Sequence, residues 1–366
     1  MEIAGPEQPK EVLVVCTRRL GDVLLATPLV RSLRRAWPEA AIDMLVFRGT
    51  ESIIDANPDL RRVITVGERD SLGTRLGTFR ALWKRYDLAC STQASDRSTL
   101  YAAAAGKVAV GLLDPAKAPA WKRWLLERWV PFDDLHVHTV MAGLALCPVL
   151  GIAPVSEVVV SWRAGDDAEA ARTLPFDART TAYAVLHVSP KFAYKMWTVE
   201  GWFRLARWLS EQDVRSVIVT GTDAEERALA DRIADEVPGA VNLAGKLRLP
   251  AVGALLNRAR IYVGTDTAIT HMAAAVGVPT IALFGPSNPV KWGPWPKDYP
   301  GQESPWRMVG SQRSGNVALI QGQTTCVPCR EEGCERHVRS LSDCLQHLPA
   351  GRVIEAARGM LTIASR

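Results

Sequence analysis

The sequence contains no long hydrophobic run. No apolar stretch approaches the ~20 residues that a helix needs to span a bilayer, so we expect no membrane-spanning helix. Residues 1–10 have neither a basic start nor an apolar core, which argues against a signal peptide. Their glutamates and prolines predict a disordered tail. A cytoplasmic location is therefore expected.

The sequence also lacks two common ligand-binding motifs. Its first strand–loop–helix segment has no G-x-G-x-x-G, so a dinucleotide cofactor is not expected there. The segments expected to line the ligand site contain no D-x-D pair of carboxylates, and we predict no catalytic metal. The formal net charge of +5 is mild. It fits an acidic ligand or an anionic membrane surface, and we predict no nucleic-acid partner.

What the sequence does contain is a repeated alternation of short apolar strands and helices over 366 residues. Such alternation predicts α/β domains with parallel sheets, and this length favours two domains. We predict a first Rossmann-like domain over residues 11–165, a second over 166–350, and a final helix over 351–366. The linker is expected within residues 155–177 and should contain a short strand at Val158–Trp162.

The stretch Tyr262–Pro286 is the most informative part of the chain. Its apolar, β-branched start at Ile261–Val263 predicts a buried strand that Gly264 ends. A short helix is predicted over Thr267–Val276, and a second strand over Thr280–Phe284. This unit places a helix N-terminus at the carboxyl end of a strand, which is where open α/β sheets bind ligands.

The N-terminus of that helix has the chemistry of a phosphate site. Free backbone N–H groups and the helix dipole favour an anion there. Asp266 and Thr267 are residue types that cap helices. The Thr267 side chain adds a hydroxyl and His271, one turn on, adds an imidazole. An ordinary strand–helix–strand unit with capping residues explains the same pattern, so the residues alone leave both interpretations open.

A second carboxylate stands at a comparable place in the first domain. Glu11–Cys16 is predicted as a buried strand, and Gly21 and Asp22 precede the helix predicted over Val23–Trp37. Asp22 should therefore lie near the ligand-binding edge of the first sheet. The alternative is that Asp22 is a first-turn helix residue favoured by the helix dipole.

Four segments resemble one known family. Asp266–Pro286 has the pattern D-T-x-x-x-H-x-x-A-A-x-G-x-P-x-x-x-x-F-G-P, and Arg19–Pro28 has the pattern R-x-G-D-x-L-x-x-x-P. Lys195–Trp197 (K-x-W) and Asn242–Leu249 (N-L-A-G-K-x-x-L) complete the set. Together they resemble the ADP-heptose:lipopolysaccharide heptosyltransferase family, glycosyltransferase family nine, although Ala268 stands where the family usually has glycine.

The resemblance implies a GT-B fold, in which two Rossmann-like domains face a central cleft and the C-terminal helix packs toward the N-terminal domain. It implies an inverting, metal-independent transfer of heptose from ADP-L-glycero-D-manno-heptose, held by the second domain, to the lipopolysaccharide inner core, held by the first. No cofactor is implied. Alternatives are an enzyme of the same fold with another nucleotide sugar or acceptor, such as a nucleotide-sugar 2-epimerase, and a non-catalytic nucleotide-sugar-binding relative.

The resemblance also implies roles for individual residues. Asp22 would be the general base that takes the proton from an acceptor hydroxyl. Lys195 would neutralise the departing diphosphate, with Lys191 as the local competitor. Glu225, in preference to its neighbour Glu226, would bind the ribose. The implied donor-binding residues are Ser189, Lys195, Glu225, Asp266, Thr267, Ala268 and His271.

A cysteine-rich segment follows the second domain's last motif. Cys326, Cys329, Cys334 and Cys344 have the spacing C-x2-C-x4-C-x9-C. Four cysteines so close together match the ligand number of a structural zinc site, and we predict such a site. The spacing is not that of two C-x2-C pairs, so a reduced cluster or a disulfide pair is the alternative.

The segment Ala120–Trp129 mixes three tryptophans with Lys122, Arg123 and Arg128. Tryptophan suits the headgroup depth of a bilayer, and basic side chains are attracted to anionic lipid. The segment therefore predicts a peripheral membrane contact, which the resemblance would place at the cytoplasmic face of the inner membrane. A tryptophan-anchored core helix or loop is the alternative, because tryptophan is highly buried on average.

Overall fold

The computed structural model describes residues 8–221, 223–301 and 303–364. The chain forms two compact units, of which the first comprises the residues up to Ser161 with the short segment 300–304 and the second comprises the remainder from Trp162. The division falls at residue 161, whereas the boundary predicted from the sequence is at residue 165. Residues 1–7 of the predicted tail lie outside the described residues.

The first unit contains a parallel sheet of six strands in the order β3-β2-β1-β4-β5-β6. Most positions of the central strands are buried, because helices cover both faces of such a sheet. The strands are β1 (Glu11–Cys16), β2 (Ala41–Phe47), β3 (Arg62–Val66), β4 (Tyr86–Ser91), β5 (Gly106–Leu113) and β6 (Arg128–Pro131). The helices are α1 (Leu20–Leu25), α2 (Thr27–Ala36), α3 (Leu72–Leu82), α4 (Asp96–Ala105), α5 (Ala120–Leu125), α6 (Thr139–Leu144) and α7 (Leu146–Val149).

The helix predicted over Val23–Trp37 is two helices, α1 and α2, which meet at Ala26. Pro28 has no backbone N–H and cannot donate to the carbonyl of Leu24, as the next turn of one continuous helix would. The hydroxyl of Thr27 donates to that carbonyl instead, at 2.7 Å. The prediction of one helix was wrong because it ignored this missing donor.

The second unit contains a sheet of seven strands in the order β12-β13-β11-β10-β7-β8-β9. All neighbouring strands are parallel except β12 and β13. The strands are β7 (Tyr183–His187), β8 (Arg215–Ile218), β9 (Val241–Asn242), β10 (Ile261–Thr265), β11 (Thr280–Phe284), β12 (Gln312–Ser314) and β13 (Val317–Gln321). The helices are α8 (Ala164–Thr173), α9 (Val199–Glu211), α10 (Ala224–Glu236), α11 (Leu249–Arg258), α12 (Ala268–Val276), α13 (Pro289–Trp292), α14 (Asp343–Gln346) and α15 (Ala350–Ala364).

The last helix, α15, packs within the second unit. Its buried residues Val353, Ala357 and Met360 belong to the same apolar cluster as Leu205 and Leu209 of α9. The predicted packing of this helix toward the first domain stays a prediction. Neither α15 nor any other helix in the described ranges is long and apolar enough to cross a membrane.

Candidate active site

The carboxyl ends of β7 and β10 lie side by side in the second sheet, with Gly264 opposite His187. The chain leaves β7 toward β8 on one side and leaves β10 toward β11 on the other. Open α/β sheets bind ligands where the strand order reverses in this way. The loops after β7, β10 and β11 therefore define the candidate site, and they are residues 188–198, 266–267 and 285–288.

Helix α12 begins directly after the β10 loop. Thr267 is its N-cap residue, and the Thr267 side chain makes no capping hydrogen bond. The Thr267 hydroxyl lies 3.3 Å from the hydroxyl of Thr270. The first N–H groups of a helix have no partner within the helix, so the start of α12 offers donors and a positive dipole end to an anion. Ala268 is the first helical residue.

The ammonium group of Lys195 is bound to Asp266. Lys195 Nζ lies 2.5 Å from Asp266 Oδ2 and also donates to the Asp266 carbonyl at 3.2 Å. The two side chains are 19% and 9% exposed. Lys191, by contrast, is exposed, and its ammonium lies over the ring of Phe192. The structure thus brings Lys195, rather than Lys191, to the start of α12.

Asp266 is an ionised carboxylate. Burial would raise the pKa of Asp266, but the charge of Lys195 and hydrogen bonds from Lys195 and Ser287 hold that pKa below its ordinary value. No role was predicted for Ser287. Its position directly after the F-G-P triplet that closes β11 was the available signal.

Two buried histidines lie at this edge of the sheet. Burial lowers the pKa of His271 in α12 to about 4, so the imidazole is neutral at neutral pH. Burial likewise lowers the pKa of His187 to about 4. The Nδ1 atoms of both have no hydrogen-bond partner within the described parts of the chain. Ser189, two residues after His187, is also buried. His187 was not among the predicted site residues, although its place at the end of a buried strand was a signal in the sequence.

The two candidate glutamates lie in the first turn of α10, whose N-cap residue Asp223 accepts from the Glu225 N–H at 2.9 Å. Glu225 is exposed, whereas Glu226 is half-buried. Burial raises the pKa of Glu226, whose carboxylate also accepts backbone hydrogen bonds from Asp223 and Gly221. The Glu226 carboxylate is thus engaged at the start of its own helix, and the Glu225 carboxylate faces solvent.

Asp22 belongs to the first unit and lies in the first turn of α1, which follows β1. Its side chain is 12% exposed, and Asp22 Oδ1 lies 3.8 Å from Arg18 Nε. Strand β1 is central in its sheet, so the Asp22 carboxylate lies at the carboxyl edge where such sheets bind ligands.

The four cysteines of the cysteine-rich segment all have free thiols. Burial, followed by the charges of Cys329, Cys326 and Cys334, raises the pKa of Cys344 to about 12. Cys326, Cys329 and Cys334 therefore each lie close enough to Cys344 to influence its pKa. Within the described residues, however, no group of three or more His, Cys, Asp or Glu side chains is arranged to hold a metal ion. The zinc site stays a prediction.

The tryptophan-rich segment forms the short helix α5 and then strand β6. Trp124 is 86% exposed. Lys122 is buried and forms an ion pair with Asp96 at 2.5 Å. Arg128 Nη1 donates to a backbone carbonyl at 2.7 Å. Arg123 Nη2 donates to the Pro115 carbonyl at 2.9 Å, so all three basic side chains bind groups of the protein. Of the three tryptophans, only Trp124 is exposed; the other exposed residues of the segment are Ala120, Arg123, Leu125 and Glu127.

Comparisons with known proteins agree with these features. The family model described as Glycosyltransferase family 9 (heptosyltransferase) matches residues 75–304. Lipopolysaccharide heptosyltransferase 1 of Pseudomonas aeruginosa is 31% identical over 76% of this chain and 79% of its own length. Lipopolysaccharide heptosyltransferase 3 of Escherichia coli is 27% identical over 75% of this chain and 83% of its own length.

A solved structure has the same fold. The E. coli heptosyltransferase WaaC with ADP matches with a TM-score of 0.71 at 22% identity, over 96% of this chain and 99% of that one. This likeness confirms the predicted α/β fold of the GT-B type with two Rossmann-like domains. The family model matches more than half of the chain, and the resemblance inferred from four motifs is confirmed. The chain is a glycosyltransferase and belongs to glycosyltransferase family 9, the heptosyltransferases.

Proposed function

We propose that this enzyme transfers a heptose from ADP-L-glycero-D-manno-heptose to the inner core of lipopolysaccharide. The curated relatives are lipopolysaccharide heptosyltransferases, and the solved relative holds ADP. The observation in this chain that carries the proposal is the Lys195–Asp266 pair at the start of α12. A largely buried cation beside a helix N-terminus suits the diphosphate of a nucleotide sugar.

In this proposal the diphosphate binds over the start of α12. The first N–H groups of the helix and the Thr267 hydroxyl donate to its oxygens. Lys195 has three N–H donors, two of which are directed at Asp266, so the third is available to the phosphate. Asp266 holds Lys195 in place. His271 is neutral and can form a hydrogen bond without adding charge.

Three further residues complete the proposed donor site. Ser189 lies in the loop that also contains Lys195, and its hydroxyl would donate to the diphosphate. The Glu225 carboxylate would accept hydrogen bonds from the ribose hydroxyls. Ala268 lies at the start of α12, where its backbone N–H would face the diphosphate.

The proposed reaction is a single inverting displacement. An acceptor hydroxyl oxygen attacks the anomeric carbon as the bond from that carbon to the diphosphate oxygen breaks. Asp22 takes the hydroxyl proton, and ADP leaves with the electron pair. Lys195 and the start of α12 stabilise the charge that develops on the leaving oxygen. Since these groups supply positive charge, we propose that the reaction needs neither a catalytic metal nor a cofactor.

A direct test incubates the purified chain with ADP-heptose, a heptose-deficient lipopolysaccharide core fragment and EDTA. The expected result is an acceptor heavier by one heptose, with inverted anomeric configuration by NMR. Asp22→Asn should lower turnover by roughly 10²–10⁴-fold while ADP binding in calorimetry stays unchanged. Preference for a UDP- or GDP-sugar would refute the donor, loss of transfer in EDTA would refute metal independence, and full turnover of Asp22→Asn would refute the base.

We also propose that the enzyme reaches its acceptor at the cytoplasmic face of the inner membrane through the exposed part of α5. Trp124 and Leu125 are 86% and 40% exposed, and tryptophan favours the headgroup region. Trp124→Ser should weaken binding to vesicles that contain anionic lipid. Trp83→Ser is the matched control, because Trp83 is 65% exposed at the end of α3. Equal vesicle binding of Trp124→Ser and the wild type would contradict this contact.

The structural zinc remains a proposal, supported by the four cysteines within this short segment and by the influence of three of them on the pKa of Cys344. Freshly purified, reduced protein should contain about one zinc per chain, since a structural site uses four ligands. Cys329→Ser should lower that content. Metal analysis that finds none in the reduced wild type would reject the site.

A further inference from the structure

Residues 330–348, here called the C-terminal brace, follow β13, include α14 and contact two loops of the candidate site. The backbone N–H of Arg330 donates to the carbonyl of Pro286 at 2.8 Å. Leu345 packs closely on Gly285, since a Cβ atom on that glycine would lie 2.7 Å from Leu345 Cγ. The brace therefore packs against the loop after β11 and stabilises it.

The brace also binds the backbone on both sides of Lys195. The Ser342 hydroxyl donates to the carbonyl of Tyr194 at 2.7 Å. Gln346 Nε2 donates to the carbonyl of Met196 at 2.8 Å. Ser342 is the N-cap residue of α14 and Gln346 its last residue, so the two lie on one face of a single helical turn.

Two more contacts tie the same loop to the brace. The backbone N–H of Ala193 donates to the Val338 carbonyl at 3.2 Å. Trp197 Nε1 donates to the Leu348 carbonyl at 2.8 Å. Four hydrogen bonds to the brace thus hold the loop after β7 on both sides of Lys195. The only regular structure in this loop is a three-residue turn. A lysine side chain is long and flexible, and its ammonium can be placed reproducibly only if its backbone is also held.

We propose that Ser342 and Gln346 are positioning residues for Lys195. They hold the backbone of Lys195 while Asp266 holds its ammonium, so that the third N–H of the ammonium faces the leaving diphosphate. The proposal rests on the proposed role of Lys195 at that diphosphate. Neither Ser342 nor Gln346 touches the donor in this arrangement; each acts through the lysine.

The test measures turnover and the donor KM of Ser342→Ala and Gln346→Leu with ADP-heptose and the core fragment. Each change should lower turnover about fivefold, which is the factor expected for one neutral hydrogen bond. The donor KM should change less than twofold, because Lys195 contributes most in the transition state. Ser342→Thr keeps the hydroxyl and should restore turnover. In a Lys195→Ala background, both changes should lower turnover less than twofold further.

Matched controls separate positioning from general loss of structure. Ser210 and Gln312 also donate to backbone carbonyls in the second unit, at 3.1 and 2.8 Å, but not in the loops of the site. Ser210→Ala and Gln312→Leu should leave turnover within twofold of the wild type. Thermal unfolding of every variant shows whether a loss of turnover follows a loss of fold.

The outcomes distinguish this inference from the function on which it rests. Full turnover of Lys195→Ala would contradict the proposed role of the lysine itself. A large loss in Lys195→Ala, with unchanged turnover in Ser342→Ala and Gln346→Leu, would overturn the positioning role alone. Equal losses in the wild-type and Lys195→Ala backgrounds would also overturn it, because the two side chains would then act independently of the lysine.

Discussion

Replacing Lys195 with alanine should show how strongly the Lys195 ammonium and the Asp266 carboxylate stabilise each other in the folded protein. Removing one partner of a buried ion pair costs ~3–5 kcal/mol, because the remaining charge is buried and uncompensated. Lys195 and Asp266 are 19% and 9% exposed, so we expect the lower end, about 3 kcal/mol. In a domain of about 150–250 residues that loss lowers Tm by roughly 6–12 °C.

Lys195→Ala should also reverse the sign of the contribution that Asp266 makes to the pH dependence of stability. In the wild type the pKa of Asp266 is held below its ordinary value, so its carboxylate contributes stability above the unfolded pKa of about 4 and loses it as the pH falls. In Lys195→Ala, burial becomes dominant and raises that pKa. The variant then loses stability as the pH rises through the raised pKa of Asp266. Its Tm difference from the wild type should therefore grow from pH 4 toward pH 7.

Both effects are measured by thermal unfolding between pH 4 and pH 7.5 of the wild type, Lys195→Ala, Asp266→Asn and the double variant. The double variant Lys195→Ala/Asp266→Asn has neither charge, so it should recover most of the lost Tm and most of the changed pH dependence. Its turnover should stay low, because the ammonium that faces the leaving diphosphate is still absent. If Asp266→Asn failed to restore Tm in the Lys195→Ala background, the two charges would not be coupled as described.

Steady-state kinetics beside ADP titration completes this experiment. Lys195→Ala should lower turnover more than it weakens ADP binding, since the leaving diphosphate gains charge in the transition state. Lys195→Arg should recover only part of the turnover, because a planar guanidinium does not superpose on an ammonium. Equally small changes in affinity and turnover would assign the phosphate contact to other residues, with Lys191 the first candidate.

Thr267→Val keeps the side-chain shape and removes the hydroxyl, so ADP binding in calorimetry should weaken by ~1–3 kcal/mol; an unchanged affinity would remove this hydroxyl from the donor site. Burial lowers the pKa of His271 to about 4, so the unfolded chain takes up a proton at higher pH than the folded chain, and stability should fall as the pH drops from about 6.5 to 4. His271→Gln should flatten that part of the Tm curve, and an unchanged slope would contradict the assignment. Asp43 is fully buried in β2 and accepts from Arg61 and Tyr86, so Asp43→Ala should lower the unfolding free energy by about 3 kcal/mol; a Tm equal to that of the wild type would refute this.

Local sequence patterns predicted the elements of the second unit closely. The bounds predicted for the strand Thr280–Phe284 are those observed. Glycine and proline punctuate this segment, and an apolar run between them is what a strand buried on both faces requires. The predicted helix Thr267–Val276 differs only at its first residue, which is the N-cap.

Where local pattern failed, pairing between strands decided the result. Gly264 was expected to end a strand, yet β10 continues to Thr265 because β7 and β11 pair with it on either side. Val158–Trp162 was expected to be a strand, but residues 152–163 have no regular secondary structure. The short strands β6 and β12 were not predicted, because each is defined chiefly by the partner beside which it lies. Strand β13 was also not predicted, although it is as long and as buried as β11.

By itself the sequence determined the family, the two-domain α/β fold and the identity of the residues with suitable chemistry, because those properties depend on residue type and short spacing. The K-x-W motif favoured Lys195 over Lys191, but only the tertiary structure brought Lys195 to Asp266, which is 71 residues away in the chain. It likewise brought Ser287 to Asp266 and placed Ser342 against the loop that contains Lys195. Which loops meet depends on the order of strands in the sheet and on the path of the chain between them, and neither is encoded within a single motif.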